Sequence, residues 1–172
     1  MKVVVVGASG FIGSHLVDGL LAAGCQVRAL ARHLPGLISS AALADQGLKL
    51  FPLSMADGLA LQEAIEGADL VFHLASGSLP QSSNRDPQAD VQVNLLGALK
   101  VLEAARLAKV KRLVMVSSGG TVYGVPQEVP IPEHHPTDPT CSYGITKLAI
   151  EKYVELYRQL HGLDGLVLRL AN

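Results

Sequence analysis

Two rhythms of apolar residues take turns along the chain. Lys2–Gly7 carries the unbroken run Val3-Val4-Val5-Val6, which suits a central parallel strand covered on both faces. Phe11, Ile12, Leu16, Leu20 and Leu21 follow at helical spacing, and Gly24 offers the left-handed residue on which a helix can stop. The alternation then repeats. It predicts strands at Gln26–Ala31, Leu48–Leu53, Leu70–Leu74, Arg112–Val116 and Gly165–Leu170. Helices are expected near Ser39–Gln46, at Leu59–Glu66 after a cap at Asp57, around Val91–Ala108, and from about Ser142 to His161. A proline-rich loop, Val125–Pro139, precedes the last helix. Such alternation, with right-handed crossovers, gives an α/β fold with a Rossmann-type doubly wound parallel sheet.

Composition narrows the partners. At 172 residues the chain sustains one well-buried domain, so residues 1–172 are read as a single unit. A formal net charge of −1 provides no basic face for nucleic acid or an anionic membrane. No apolar run approaches the length that spans a bilayer, which leaves a small molecule as the expected partner. Cys25 and Cys141 lie far apart without metal-ligand spacing, and the N-terminus lacks the layout of a signal peptide. A reducing cytoplasm is the expected location. The chain stops at Asn172 directly after a strand, so we expect a piece of a longer protein whose substrate lobe is missing here.

Chemistry enters at the turn Gly7-Ala8-Ser9-Gly10-Phe11-Ile12-Gly13. Gly7 permits a tight turn, Gly10 lets the backbone approach a pyrophosphate, and Gly13 lets the helix pack closely on the strand while its first amides face phosphate. A plain tight turn would also use these glycines. The position at the first strand of a doubly wound fold favours a dinucleotide.

Further segments carry a resemblance. They are His73-Leu74-Ala75-Ser76, then Pro87 with Asn94-Leu95-Leu96-Gly97, then Val116-Ser117-Ser118-Gly119-Gly120-Thr121-Val122-Tyr123-Gly124, Tyr143-Gly144-Ile145-Thr146-Lys147 and Leu168-Arg169-Leu170-Ala171-Asn172. Together with the GxxGxxG spacing, and over the whole chain, they resemble the extended short-chain dehydrogenase/reductase superfamily, the NAD-dependent epimerases and dehydratases of nucleotide sugars. The resemblance implies an NAD(P) cofactor held by Gly7, Ser9, Gly10, Phe11, Ile12, Gly13, Leu74, Ala75, Ser76, Asn94, Ser117, Tyr143 and Lys147, with Asn172 at the substrate. It also implies a homodimer built on the two long helices.

Tyr143 and Lys147 are four apart and share a helix face. Hydride transfer at a carbinol carbon requires a proton to move at its oxygen, and a free phenol with a pKa of about 10 is a poor base near neutrality. A cation such as Lys147 can lower it. Ser142 or Thr140 is the expected cap of their helix. The bland alternative makes both residues an ordinary surface pair.

Three positions depart from the family pattern. Where the family has a substrate-bonding Ser or Thr, this chain has Gly119; Ser118 and Thr121 are the candidate replacements, with Thr121 favoured because strand alternation puts it on the side of position 119. Where NAD enzymes carry a ribose-binding carboxylate, this chain has Ala31-Arg32, and Arg32 leans the expectation towards NADP. Ser54 stands where an Asp is common. His73 is read as structural, and His134-His135 lacks companions for a metal. The leading reading is a nucleotide-sugar epimerase or dehydratase working by reversible hydride transfer. An NADP-dependent carbonyl reductase and a non-catalytic dinucleotide sensor or scaffold are the alternatives.

Overall fold

In the computed structural model, residues 1–33 and 47–171 are described. Their strands are β1 (Lys2–Val6), β2 (Gln26–Ala31), β3 (Leu48–Pro52), β4 (Leu70–His73), β5 (Arg112–Ser118) and β6 (Gly165–Leu170). All pair in parallel, in the order β3-β2-β1-β4-β5-β6. The order reverses between β1 and β4, and in an open parallel sheet the crevice at that switch, beyond the carboxyl ends of the strands, is where ligands bind.

The valine run explains why β1 is central. Val3, Val4 and Val5 have no exposed surface and Val6 has 2 %, but successive residues face opposite layers. Val4 and Val6 join Leu61, Ile65, Val101, Leu102 and Met115 on one side, whereas Val3 and Val5 join Val17, Leu21 and Val27 on the other. Burying each such side chain contributes roughly 1.5–3 kcal/mol before chain entropy is counted.

The helices are α1 (Phe11–Ala22), α2 (Gly58–Ile65), α3 (Pro80–Ser83), α4 (Pro87–Asp90), α5 (Leu96–Leu107), α6 (Gly119–Val122) and α7 (Ser142–His161), and a π-helical turn, Val91–Leu95, joins α4 to α5. Asp57 caps α2 as expected, accepting from the Ala60 amide at 3.1 Å. The helix expected near Ser39–Gln46 lies outside the described residues.

Several boundaries differ from the expected ones, for local reasons. The helical stretch expected from Val91 begins at Pro87, because Pro87-Gln88-Ala89-Asp90 gives no apolar rhythm while Pro87 sits at the first helical position behind the Asp86 cap. β5 runs on to Ser118, held by pairing of Ser117 and Ser118 with Arg169 and Leu170. Neither Ser142 nor Thr140 caps α7. Its cap residue is Cys141, without a side-chain bond, and the first amides are satisfied from elsewhere: Ser142 N donates to Asn84 Oδ1 at 2.8 Å and Tyr143 N to Ser83 Oγ at 3.0 Å. Thus α3, invisible to hydrophobic periodicity, fixes the start of the helix that carries Tyr143.

Candidate active site

At the β1–β4 switch lies a cleft of about 550 Å³, lined among others by Gly7, Ser9, Gly10, Arg32, Leu74, Ala75 and Ser76. Gly7 has φ +91°, and a Cβ there would sit 2.6 Å from Ala75 N, so β4's loop can close on β1 only over a glycine. A Cβ on Gly13 would collide with Gly7 O. α1 starts behind Gly10 with no side-chain cap and no acidic residue in its first turn, which leaves its amides and positive dipole end for an anion. Phe11 and Ile12 are exposed in that first turn. The donor set, the glycine cradle and the cleft therefore fit a dinucleotide.

Beside the cleft the β4 loop is tied to the π-helical turn. Asn94, 3 % exposed, accepts from Gly77 N at 2.8 Å and Ser76 Oγ at 3.3 Å and donates to Ser78 Oγ at 2.7 Å. The amide is thereby spent on shaping the loop that carries Ser76. Its partner Asp90, 2 % exposed, accepts from Asn94 Nδ2 (2.8 Å), Ser142 Oγ (2.8 Å), Thr146 Oγ1 (2.6 Å) and Ser78 Oγ.

α7 brings Tyr143 and Lys147 to the same end of the sheet. Gly144 makes this approach possible, since a Cβ there would lie 2.7 Å from Thr121 O. Lys147 is 4 % exposed; its Nζ lies 5.5 Å from the Tyr143 ring centre and donates to Val116 O at 3.1 Å. Burial lowers the Lys147 pKa to about 8, against the opposing pull of the Asp90 and Glu151 carboxylates. Burial raises the Tyr143 phenol above its usual value; the Asp90 and Cys141 charges add to this, and the neighbouring Ser76 hydroxyl works the other way. The lowering expected from Lys147 is not among the effects of the protein's own groups.

Around the fifth strand the details change. Ser117 is buried and donates to Glu151, which also pairs with Arg169 at 2.6 Å; Arg169 in turn lies 4.8 Å from the Tyr123 ring centre. Residues 119–122 form a helical turn, so the alternation used to favour Thr121 over Ser118 does not apply there. Thr121 stands out for another reason: its Oγ1 is buried without a hydrogen-bond partner among the described residues, whereas Ser118 is only partly buried. His73 is 3 % exposed at the end of β4, and burial, followed by the charge of Lys147, lowers its pKa to about 3. His135 is buried against Tyr123, accepting from Gln127 N at 3.0 Å. Among the described residues no group of His, Cys, Asp or Glu is arranged for a metal, and no helix is long and apolar enough to cross a membrane. Asn172 lies outside the described residues.

Sequence reasoning missed Asp90, Thr146 and Glu151. Their signal was spacing: Asp90 precedes Asn94 by one helical turn, and Glu151 follows Lys147 by one.

The comparisons agree with this geometry. The model of the NAD dependent epimerase/dehydratase family matches residues 3–172. UDP-glucose 4-epimerase of Mycolicibacterium smegmatis is 40% identical over 171 residues, covering 95% of this chain and 53% of its own length. A putative UDP-glucose 4-epimerase of Methanocaldococcus jannaschii is 33% identical over 99% of this chain and 55% of its own. The structure of Thermus thermophilus UDP-glucose 4-epimerase in complex with NAD superposes with a TM-score of 0.87 at 37% identity, over 98% of this chain and 54% of that one. The chain thus spans about half the length of the relatives it matches, and within that span it belongs to the NAD dependent epimerase/dehydratase family.

Proposed function

We propose that this chain is the cofactor-binding and catalytic half of a nucleotide-sugar 4-epimerase, with UDP-hexoses as the first substrates to test. The observation that carries the reading is the convergence of the glycine cradle with half-buried Tyr143 and buried Lys147 at one end of the sheet. Relatives named as UDP-glucose 4-epimerases support the substrate class.

In this reading Gly7, Gly10 and the first turn of α1 bind the pyrophosphate, and Ser76 and Lys147 lie at the nicotinamide end. Tyr143 would take the proton of the sugar hydroxyl as the carbinol carbon is oxidised and return it to the same oxygen as that carbon is reduced again. The bound nicotinamide supplies the hydride acceptor. Lys147 provides positive charge that favours the phenolate. Thr121, whose buried hydroxyl has no partner among the described residues, takes the role vacant at Gly119, because leaving such a group unsatisfied costs about 1–3 kcal/mol.

Turnover of UDP-glucose and dTDP-glucose by the full-length protein tests the reading. Tyr143→Phe should abolish epimerisation while retaining cofactor binding, and Thr121→Val should lower kcat with the melting temperature held. Full activity in Tyr143→Phe, or net consumption of NADPH with simple ketones in place of epimerisation, would overturn it. For the cofactor, Arg32 lines the cleft and no carboxylate is among the described residues that line it, so a larger thermal shift is expected with NADP than with NAD, and that excess should vanish in Arg32→Ala. The exposed apolar residues Leu96, Leu107, Leu156 and Leu160 on α5 and α7 support a homodimer; sedimentation of the intact protein as a monomer alone would exclude it.

A further inference from the structure

We propose that Asp90 is the positioning residue and distant counter-charge of the Tyr143–Lys147 pair: its carboxylate clamps the first turns of α7 while standing off from the ammonium it balances. The inference rests on the functional reading only for what the pair does. Three observations carry it. Asp90 and Lys147 are both buried, at 2 % and 4 % exposure, and a lone buried charge is costly unless it is paired or hydrogen-bonded. No ion pair among the described residues includes either of them, whereas the other acid beside Lys147, the partly buried Glu151, is neutralised by Arg169. Asp90 is instead satisfied by four neutral donors from three segments: Ser78 after β4, Asn94 in the π-helical turn, and Ser142 and Thr146 in α7.

This arrangement has a chemical consequence. A direct ion pair would occupy the Lys147 ammonium, whose one acceptor among the described residues is Val116 O. Because hydroxyls and an amide hold the Asp90 carboxylate elsewhere, the remaining ammonium donors stay free to face a ligand, while Asp90 still favours the charged form of lysine from a distance. The same bonds set the geometry, since Ser142 and Thr146 flank Tyr143 and precede Lys147. The charged and titratable groups around Lys147 are Tyr143 and Glu151 on its own helix, Asp90 from α4, His73 from β4, and Arg169 from β6 behind Glu151.

The test follows the titration of the Lys147 side chain by NMR in the whole chain, with the signal assigned by its loss in Lys147→Met. In Asp90→Asn the midpoint should move to lower pH, because an attractive charge is removed. Thr146→Val, which loosens the clamp but keeps the charge, should leave it near its original value. By reciprocity, Lys147→Met should move the Asp90 carboxylate midpoint to higher pH; that measurement decides the matter if Asp90→Asn does not fold. An unmoved midpoint at both sites overturns the proposal. Since neither readout involves turnover, shifts in a protein without epimerase activity would defeat the functional reading and leave this one standing.

Discussion

His73 couples the site to stability. Its imidazole is buried and stays neutral down to a pKa of about 3, against 6.5 when free. Between those values the unfolded chain takes up a proton that the folded chain refuses, so stability is full above the unfolded value and falls as pH drops. We expect acid to destabilise the protein across that window, and His73→Asn to flatten the dependence in denaturation curves taken from pH 7 to about pH 4. Lys147 is also depressed, to about 8 from 10.5. Here the folded state excludes a proton that the unfolded chain keeps, so stability should rise as pH climbs from about 8 towards 10.5, and Lys147→Met should remove that rise. A melting profile flat across both windows would contradict these assignments.

How much of the site was legible follows from what kind of signal each residue emits. Gly7, Gly13, Tyr143 and Lys147 announce themselves because their spacing is local and their chemistry specific. Asp90 does not: it is one acid in a polar stretch, and its meaning depends on Ser142 and Thr146, more than fifty residues away. Strand alternation points to Thr121 only if 119–122 is a strand; a helical turn stands there instead, and Thr121 is singled out by a buried hydroxyl without a partner among the described residues.

At the scale of elements, glycines divide into those that a close approach demands and those that it does not. Gly13 and Gly144 face backbone that a Cβ would strike, while Gly19, mid-way along α1 and exposed, faces open space. Gly19→Ala should therefore stabilise the fold by about 0.5–1 kcal/mol. Gly13→Ala should push α1 off β1 and weaken dinucleotide binding at least tenfold, and Gly144→Ala should displace α7 and lower the melting temperature. Calorimetric melts with a cofactor titration check all three, and comparable effects at Gly19 and Gly13 would show that the approach distances do not govern this turn.

Hydrophobic rhythm located the strands because each crosses the core, and the central α7 because one of its faces does. It missed α3 and α4, which are short, polar and held by side-chain hydrogen bonds, and it read the π-helical turn as the start of the helix expected around Val91–Ala108. These are the segments that cap α7 and shape the loop beside the cleft. The part of the fold that the sequence rhythm leaves blank is thus the part that positions the chemistry.

For the molecule as a whole, the strand order puts the glycine turn on β1 and the Tyr143 helix behind β5 at the same end of one sheet, with β4 between them. The loop after β4 serves both halves: Ala75 closes over Gly7, while Gly77 and Ser78 reach through Asn94 and Asp90 to α7. The cradle and the Tyr143–Lys147 pair are therefore parts of one rigid constellation, which is the basis for the proposed coupling of cofactor binding to proton transfer.

The most direct test of that claim is a single-turnover experiment on the full-length protein loaded with whichever of NAD and NADP stabilises it more, following the absorbance of reduced nicotinamide after addition of a UDP-hexose. Wild type should show transient reduction. Tyr143→Phe, with cofactor affinity unchanged, should show little or none over the same time. Reduction at the wild-type rate in Tyr143→Phe, or failure of the wild-type protein to bind a nicotinamide dinucleotide at all, would contradict it.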